Sequence, residues 1–134
     1  MKILYVDGGC SGNSQEDLTQ RAMRAVVTDE NGAMLVDKYK EGGSNNIAEL
    51  WAVLEALQWA EKEGIEKVQI ITDSRNNISW ATKFKFGKGV NDPRQTQQLM
   101  DSIFKLRDKV KYEMVWVGRD HNLAGQYIES IYGL

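Results

Sequence analysis

The sequence has one cysteine, one proline and one histidine among 134 residues. The lone cysteine, Cys10, excludes an internal disulfide and a cysteine-rich zinc site, and it fits a reducing compartment. No apolar run approaches membrane-spanning length. The N-terminus has neither the basic start nor the long apolar stretch of a secretory leader. These absences lead to the expectation of a cytoplasmic protein with no membrane association. An excess of positive charge is also missing, since the formal balance is −2. What is present is ordinary for a globular protein, with 42% apolar and 27% charged residues. The length suits a single domain over residues 1–134, with a core that needs no staples. A monomer is expected.

The charge is uneven. From Lys83 to Lys111 eight lysines and arginines face three aspartates, a local balance of +5. Such a segment on a mildly acidic chain marks either a polyanion footprint or a solvated helix face. Within it, Lys83-Phe84-Lys85-Phe86-Gly87-Lys88, with Trp80 just before, mixes cations with aromatics. That mixture suits nucleic-acid phosphates and sugars, while the same aromatics can instead pin the loop to the core.

An apolar run, Lys2 to Val6, ends in Asp7 and is followed by Gly8, Gly9 and Cys10. The run reads as a buried strand, with a loop expected from Gly8 to Gln20. Met23–Thr28 and Ala33–Tyr39 read as strands around an Asn31-Gly32 hairpin turn. Asn45–Glu63 is the clearest helix, with Ser44 or Asn45 as its cap and Gly64 as its stop. Lys67–Thr72 is a strand ending in Asp73. A short helix follows from Ser74 to about Thr82, and Arg94–Lys109 is a second long helix. Tyr112–Val117 is a strand, and Asn122 caps a last helix, Leu123–Tyr132. The order predicts an α/β fold with a mixed five-stranded sheet, three antiparallel strands and then parallel ones, with helices on both faces.

A carboxylate at the tip of a buried strand is costly unless something pairs with it or coordinates it. Asp7 and Asp73 both end strands, and a parallel pairing would set them side by side at the end of the sheet where ligands bind. Glu49, early in the long helix, interrupts an apolar stretch and comes close to the same edge; a helix N-terminus also favours such a residue electrostatically. Three clustered carboxylates repel one another, and a hard divalent cation removes that penalty. Oxygen ligands select Mg²⁺ or Mn²⁺ over zinc. Two such ions, about 4 Å apart, suit phosphodiester cleavage.

Asp7-Gly-Gly-Cys-Ser-Gly-Asn13, Asn45-Asn46-Ile-Ala-Glu49-Leu with Glu55-Ala-Leu57, and Thr72-Asp73-Ser74 together resemble the type 1 ribonuclease H family, in a short form. The resemblance implies the ribonuclease H-like fold and an endonuclease. That enzyme would cut the RNA strand of RNA–DNA hybrids and leave 3′-hydroxyl and 5′-phosphate ends. It implies two Mg²⁺ or Mn²⁺ ions with substrate, Asp7 bridging both, Glu49 also contacting the ribose, and Asp73 helping to position the attacking water. It places Asn13, Asn45 and Asn46 along the hybrid's minor groove, with Cys10 and Arg75 as further candidates and Gly8 and Gly9 where the backbone passes. Trp80, Lys83 and Lys85 would meet the DNA strand. Asparagines can read 2′-hydroxyls and base edges without demanding a sequence, and one of Asn45 and Asn46 can serve as a helix cap.

The family usually carries a fourth carboxylate early in the last helix. Here the stretch is Arg119-Asp120-His121-Asn122-Leu123-Ala124-Gly125, and aligning on Ala124 puts Gly125 at that place. Asn122 is the candidate fourth ligand or a plain N-cap, and Asp120 is the next candidate. His121 stands in a tight turn, either as an auxiliary to proton transfer or as an ordinary surface residue. The departure keeps two other readings open: a hybrid-binding module with weakened catalysis, and another metal-dependent nuclease on the same fold.

Overall fold

The computed structural model describes residues 1–12, 21–87, 90 and 92–133. Five strands are present: β1 (Lys2–Ser11), β2 (Ala22–Thr28), β3 (Met34–Glu41), β4 (Lys67–Thr72) and β5 (Lys111–Trp116). Four helices accompany them: α1 (Asn45–Lys62), α2 (Arg75–Lys83), α3 (Pro93–Leu106) and α4 (Leu123–Tyr132). A 3-10 turn, Arg119–His121, precedes α4. The sheet order is β3-β2-β1-β4-β5. β1 pairs antiparallel with β2 and parallel with β4, and β4 pairs parallel with β5. This is the mixed sheet that the element order predicted, and its topology agrees with the fold that the family resemblance implied.

Alternation along the strands divides the core into two layers. Leu4 and Val6 of β1 and Ala25 and Val27 of β2 pack with Leu50, Val53 and Leu57 of α1. Tyr5 and Val26 face the other way, against Ala124, Ile128 and Tyr127 of α4. The helices α1 and α4 therefore cover opposite faces. Buried positions run around most of α1, because it lies between the sheet and Met100 and Ile103 of α3. Its one buried carboxylate, Glu55, is paired with Lys38 Nζ at 2.9 Å and accepts from Trp51 Nε1 at 3.0 Å. Such pairing offsets much of the cost of burying a charge.

The far end of α4 is tied down by a polar cluster. Asp37 of β3 accepts hydrogen bonds from the hydroxyls of Tyr127 and Tyr132 and pairs with Arg24 of β2. The Arg24 guanidinium stacks 4.1 Å from the Tyr132 ring, a contact that adds cation–π attraction.

Two expectations need correction. β1 does not end at Asp7: Gly8, Gly9, Cys10 and Ser11 continue the ladder opposite Ala25, Arg24, Met23 and Ala22. The antiparallel partner carries the strand onward, and only the parallel pairing with β4 stops, at Tyr5–Ile71. α3 ends at Leu106, not Lys109, because the N–H of Arg107 turns to Phe104 and those of Lys109 and Val110 both turn to Leu106.

Candidate active site

Extending the β1–β4 register two residues beyond Tyr5–Ile71 sets Asp7 level with Asp73. Glu49 joins them from α1, which is possible because of Gly8. A Cβ at Gly8 would lie 2.1 Å from the Ala48 carbonyl carbon and 2.3 Å from the Glu49 nitrogen. The missing side chain lets the first turns of α1 rest directly on β1. The side-chain space of Gly8 is thus taken by a helix, while Gly8 also lines the carboxylate cavity. Ser44 caps α1 by accepting from Ile47 N at 3.3 Å. Asn45 has a different task, and its Oδ1 accepts from Cys10 N at 2.8 Å.

One ligand oxygen each from Asp7, Glu49 and Asp73 can be chosen so that all lie within 4.8 Å of one another. Burial, then Asp73, then Glu49 push the Asp7 carboxyl up to about 8. Burial chiefly pushes Glu49 up to about 7, with Asp73 adding to the rise while a hydrogen bond to Ser74 and the nearby Arg119 oppose it. The donor set is all carboxylate, crowded and partly desolvated. It fits a hard divalent cation, whose charge would remove both the repulsion and the protons. Burial raises the Cys10 thiol above its ordinary value, which disfavours the reactive thiolate.

Asn122 is fully buried. Its Oδ1 caps α4, accepting from Ala124 N at 3.1 Å and Gly125 N at 3.4 Å. Its Nδ2 donates to Val6 O at 2.9 Å and to Asp73 Oδ2 at 3.2 Å. Turning the amide over would set oxygen against two oxygens, so the assignment follows from the hydrogen bonds. The oxygen expected to ligate a cation is committed to the helix, and Asn122 stands beside the carboxylates as a donor to Asp73. Gly125 occupies the place expected for a fourth carboxylate: a Cβ there would lie 3.1 Å from Asp7 Oδ2.

Gly8, Gly9, Cys10 and Asn45 line a cavity of about 220 Å³ with the three carboxylates. Asn46 and Trp80 line a different one, of about 260 Å³, beside α2 and the start of α3. Trp80 is largely buried, and Phe84 and Phe86 pack on the core. The aromatics of the basic loop thus pin it down, while Lys83 and Lys85 are exposed. Arg75 is exposed and stacks 4.2 Å over the Trp116 ring, whose Nε1 donates to Asp73 O at 3.2 Å. Asp120 and His121 are exposed in the 3-10 turn, and the acidic cluster does not include Asp120. Asn13 and Lys88 lie outside the described residues.

Two residues near the site were not singled out from sequence. Arg119 lines the carboxylate cavity and lowers the proton affinity of Asp7 and Glu49. Trp116 flanks Asp73, with 42% of its surface exposed. A bulky aromatic at a strand end beside a ligand-bearing loop was the available signal for Trp116. Arg119 had none beyond its place ahead of Asn122.

The sequence matches the RNase H family model over residues 1–129. No curated protein sequence matches it. Among solved structures, RNase H1 from the halophilic archaeon Halobacterium salinarum NRC-1 superposes with a TM-score of 0.70 at 20% identity, covering 99% of this chain and 98% of that one. The N-terminal RNase H domain of rv2228c from Mycobacterium tuberculosis also gives 0.70 at 20% identity, covering 94% and 93%. LC11-RNase H1, isolated from compost by a metagenomic approach, gives 0.69 at 23% identity, covering 95% and 91%. Its structure in complex with an RNA/DNA hybrid gives 0.66 at 24% identity, covering 91% and 88%. At these identities the likeness is one of fold.

Proposed function

Because this chain belongs to the RNase H family, we propose that it is a metal-dependent endonuclease that hydrolyses the RNA strand of RNA–DNA hybrids. The products would carry 3′-hydroxyl and 5′-phosphate ends. The observation that carries this reading is the convergence of Asp7, Glu49 and Asp73 within 4.8 Å. The hybrid-bound structure of LC11-RNase H1, a fold relative, supports the choice of substrate. The proposed working unit is a monomer with one domain. Among the described residues no helix is long and apolar enough to cross a membrane.

Asp7, Glu49 and Asp73 would hold Mg²⁺ or Mn²⁺, two ions when substrate is present. A bound divalent cation supplies charge for the phosphoryl oxygens and a lowered pKa for water. The protein's own groups do the rest. Asn122 holds Asp73 by a hydrogen bond, so that carboxylate keeps one orientation. Asn45, whose Oδ1 accepts from Cys10 N, lines the carboxylate cavity, where a 2′-hydroxyl or a base edge would pass. Arg119 offers a guanidinium beside the carboxylates, suited to a phosphate oxygen. Lys83 and Lys85 supply exposed charge for the DNA strand.

The experiment is cleavage of an internally labelled hybrid by purified protein with Mg²⁺ or Mn²⁺, with Asp7→Asn as control. Internal cuts in the RNA strand that vanish in Asp7→Asn are expected. No internal cleavage with either ion sinks the proposal. A second reading, a hybrid-binding module with weakened turnover, is favoured by one observation: Gly125 places no carboxylate against Asp7. Tight hybrid binding without cleavage would select it.

A further inference from the structure

Asn77, on α2, belongs to none of the motifs that mark the site, and it is fully buried. Its Nδ2 carries two hydrogens, and both are engaged. One bond goes to the Glu49 carbonyl oxygen at 3.0 Å, on α1. The other goes to Thr72 Oγ1 at 3.3 Å, at the end of β4 and one residue before Asp73. That hydroxyl also accepts from Ser74 N at 3.1 Å, and Ser74 Oγ accepts from Asn77 N at 3.2 Å. One side chain therefore ties together the backbones that carry Glu49 and Asp73. With the amide reversed, Oδ1 would face the Glu49 carbonyl oxygen with no proton between them, so the hydrogen bonds again decide its orientation.

The arrangement has a visible cost. Among the described residues, Asn77 Oδ1 is the one buried side-chain nitrogen or oxygen without a hydrogen-bond partner. A buried acceptor left unpaired is destabilising, and an apolar residue of similar size would avoid that penalty. Departures of this kind from the most stable choice tend to gather at functional sites. There is also a force for the link to oppose. Carboxylate oxygens of Glu49 and Asp73 lie within 4.8 Å of each other, and like charges that close repel. The close packing of α1 at Gly8 anchors that helix to β1, whereas Asn77 links it across to the end of β4.

We propose that Asn77 is a positioning residue for the carboxylate site: it sets the spacing of Glu49 and Asp73 through Glu49 O and Thr72 Oγ1, and thereby the affinity for a divalent cation. The proposal rests on the reading of the three carboxylates as a metal site. Outer partners of ligands commonly change metal affinity by about 10–100-fold. Asn77 touches neither the ligand oxygens nor a substrate position, so its effect travels through the backbone.

The test uses the full chain with Asn77→Val, which is apolar, and Asn77→Ser, which keeps a hydroxyl too short to span both partners. Mn²⁺ binding is read directly, from the free-ion EPR signal, alongside Tm and the steady-state kinetics of hybrid cleavage. Each variant should bind Mn²⁺ about tenfold more weakly than wild type. In Asn77→Val the relief of the unpaired acceptor and the loss of two hydrogen bonds oppose each other, so Tm should stay near the wild-type value. At fixed subsaturating Mn²⁺, kcat should fall while KM for the hybrid stays near the wild-type value. Unchanged Mn²⁺ affinity in both variants overturns the proposal. So does a fall in Tm that accounts for the lost activity, or failure of both variants to fold even in excess Mn²⁺, since Asn77 would then be a residue of stability alone. A wild-type protein that binds Mn²⁺ but leaves the hybrid intact overturns the proposed reaction and not the role of Asn77. One that binds no Mn²⁺ overturns both.

Discussion

Asn122 Nδ2 donates to Asp73 Oδ2 at 3.2 Å across 49 positions of sequence, while its Oδ1 caps α4. One amide therefore couples a carboxylate of the acidic cluster to the start of α4. Asn122→Ala removes the cap and strands the buried Val6 carbonyl. A loss of about 2–3 kcal/mol in urea unfolding is expected. Asn122→Asp keeps the cap but sets a second carboxylate against Asp73. Its stability should depend on divalent ion far more than that of wild type, and equal stability in EDTA and in Mn²⁺ would contradict the assigned geometry.

Gly125→Asp restores a carboxylate at the position facing Asp7. The new Cβ lies 3.1 Å from Asp7 Oδ2, so the Asp7 carboxylate must shift by a few tenths of an ångström. A fourth charge should strengthen divalent-ion binding and lower metal-free stability together. The measurement is Tm in EDTA and in Mn²⁺, paired with the Mn²⁺ concentration for half-maximal cleavage. A variant with wild-type values in both would show that position 125 does not address the site.

Gly8→Ala places a methyl group 2.1 Å from the Ala48 backbone. No rotamer relieves a clash between Cβ and backbone, so α1 must move away from β1 and carry Glu49 with it. Destabilisation of about 1–3 kcal/mol is expected for overpacking of this kind, with a loss of cleavage larger than the fraction unfolded explains. Full activity in the folded variant would refute the role given to Gly8.

Metal-free stability should fall as pH rises. Asp7 and Glu49 are raised to about 8 and about 7, from ordinary values of 3.8 and 4.5. Between those limits the folded protein holds more protons than the unfolded chain, so deprotonation costs folding free energy throughout that window. Tm in EDTA is expected to decline from about pH 5 to about pH 8, and saturating Mn²⁺ should flatten the decline because the cation takes over from the protons. A profile in EDTA that is flat, or rises, would argue against the buried, mutually repelling cluster.

Lys83 and Lys85 are exposed beside aromatics that pack on the core. Changing both to Ala should weaken hybrid binding and flatten its dependence on salt by about one to two units of slope, since each phosphate contact contributes about 0.7–0.9. Thermal stability should not change. An unaltered salt slope would place the DNA strand elsewhere.

The placement of the three carboxylates was legible in the sequence because each sits beside a regular element. Asp7 follows an apolar run, Asp73 ends another, and Glu49 lies in the first turns of a well-marked helix. Parallel pairing of the two strands then leaves little choice about where the side chains meet. The order of elements along the chain and the last helix were legible for the same reason, since period and caps are local signals. The extent of β1 was not. Gly8 and Gly9 read as punctuation, and only the partner strand β2 shows that the ladder continues through them.

Sequence by itself determined the carboxylate set, the mixed sheet and the family resemblance, because those depend on residue type, order and spacing along the chain. Tertiary structure alone decided what the neutral residues do. Gly8 is small because a helix 40 residues later rests on it. Asn122 points its nitrogen inward because the Val6 carbonyl, 116 positions away, needs a donor. Asn77 spans Glu49 and Thr72, which come within reach only when α1 and β4 are packed. An amide can donate or accept, and a glycine can serve a turn or a contact. Their roles are set by neighbours that sequence distance hides.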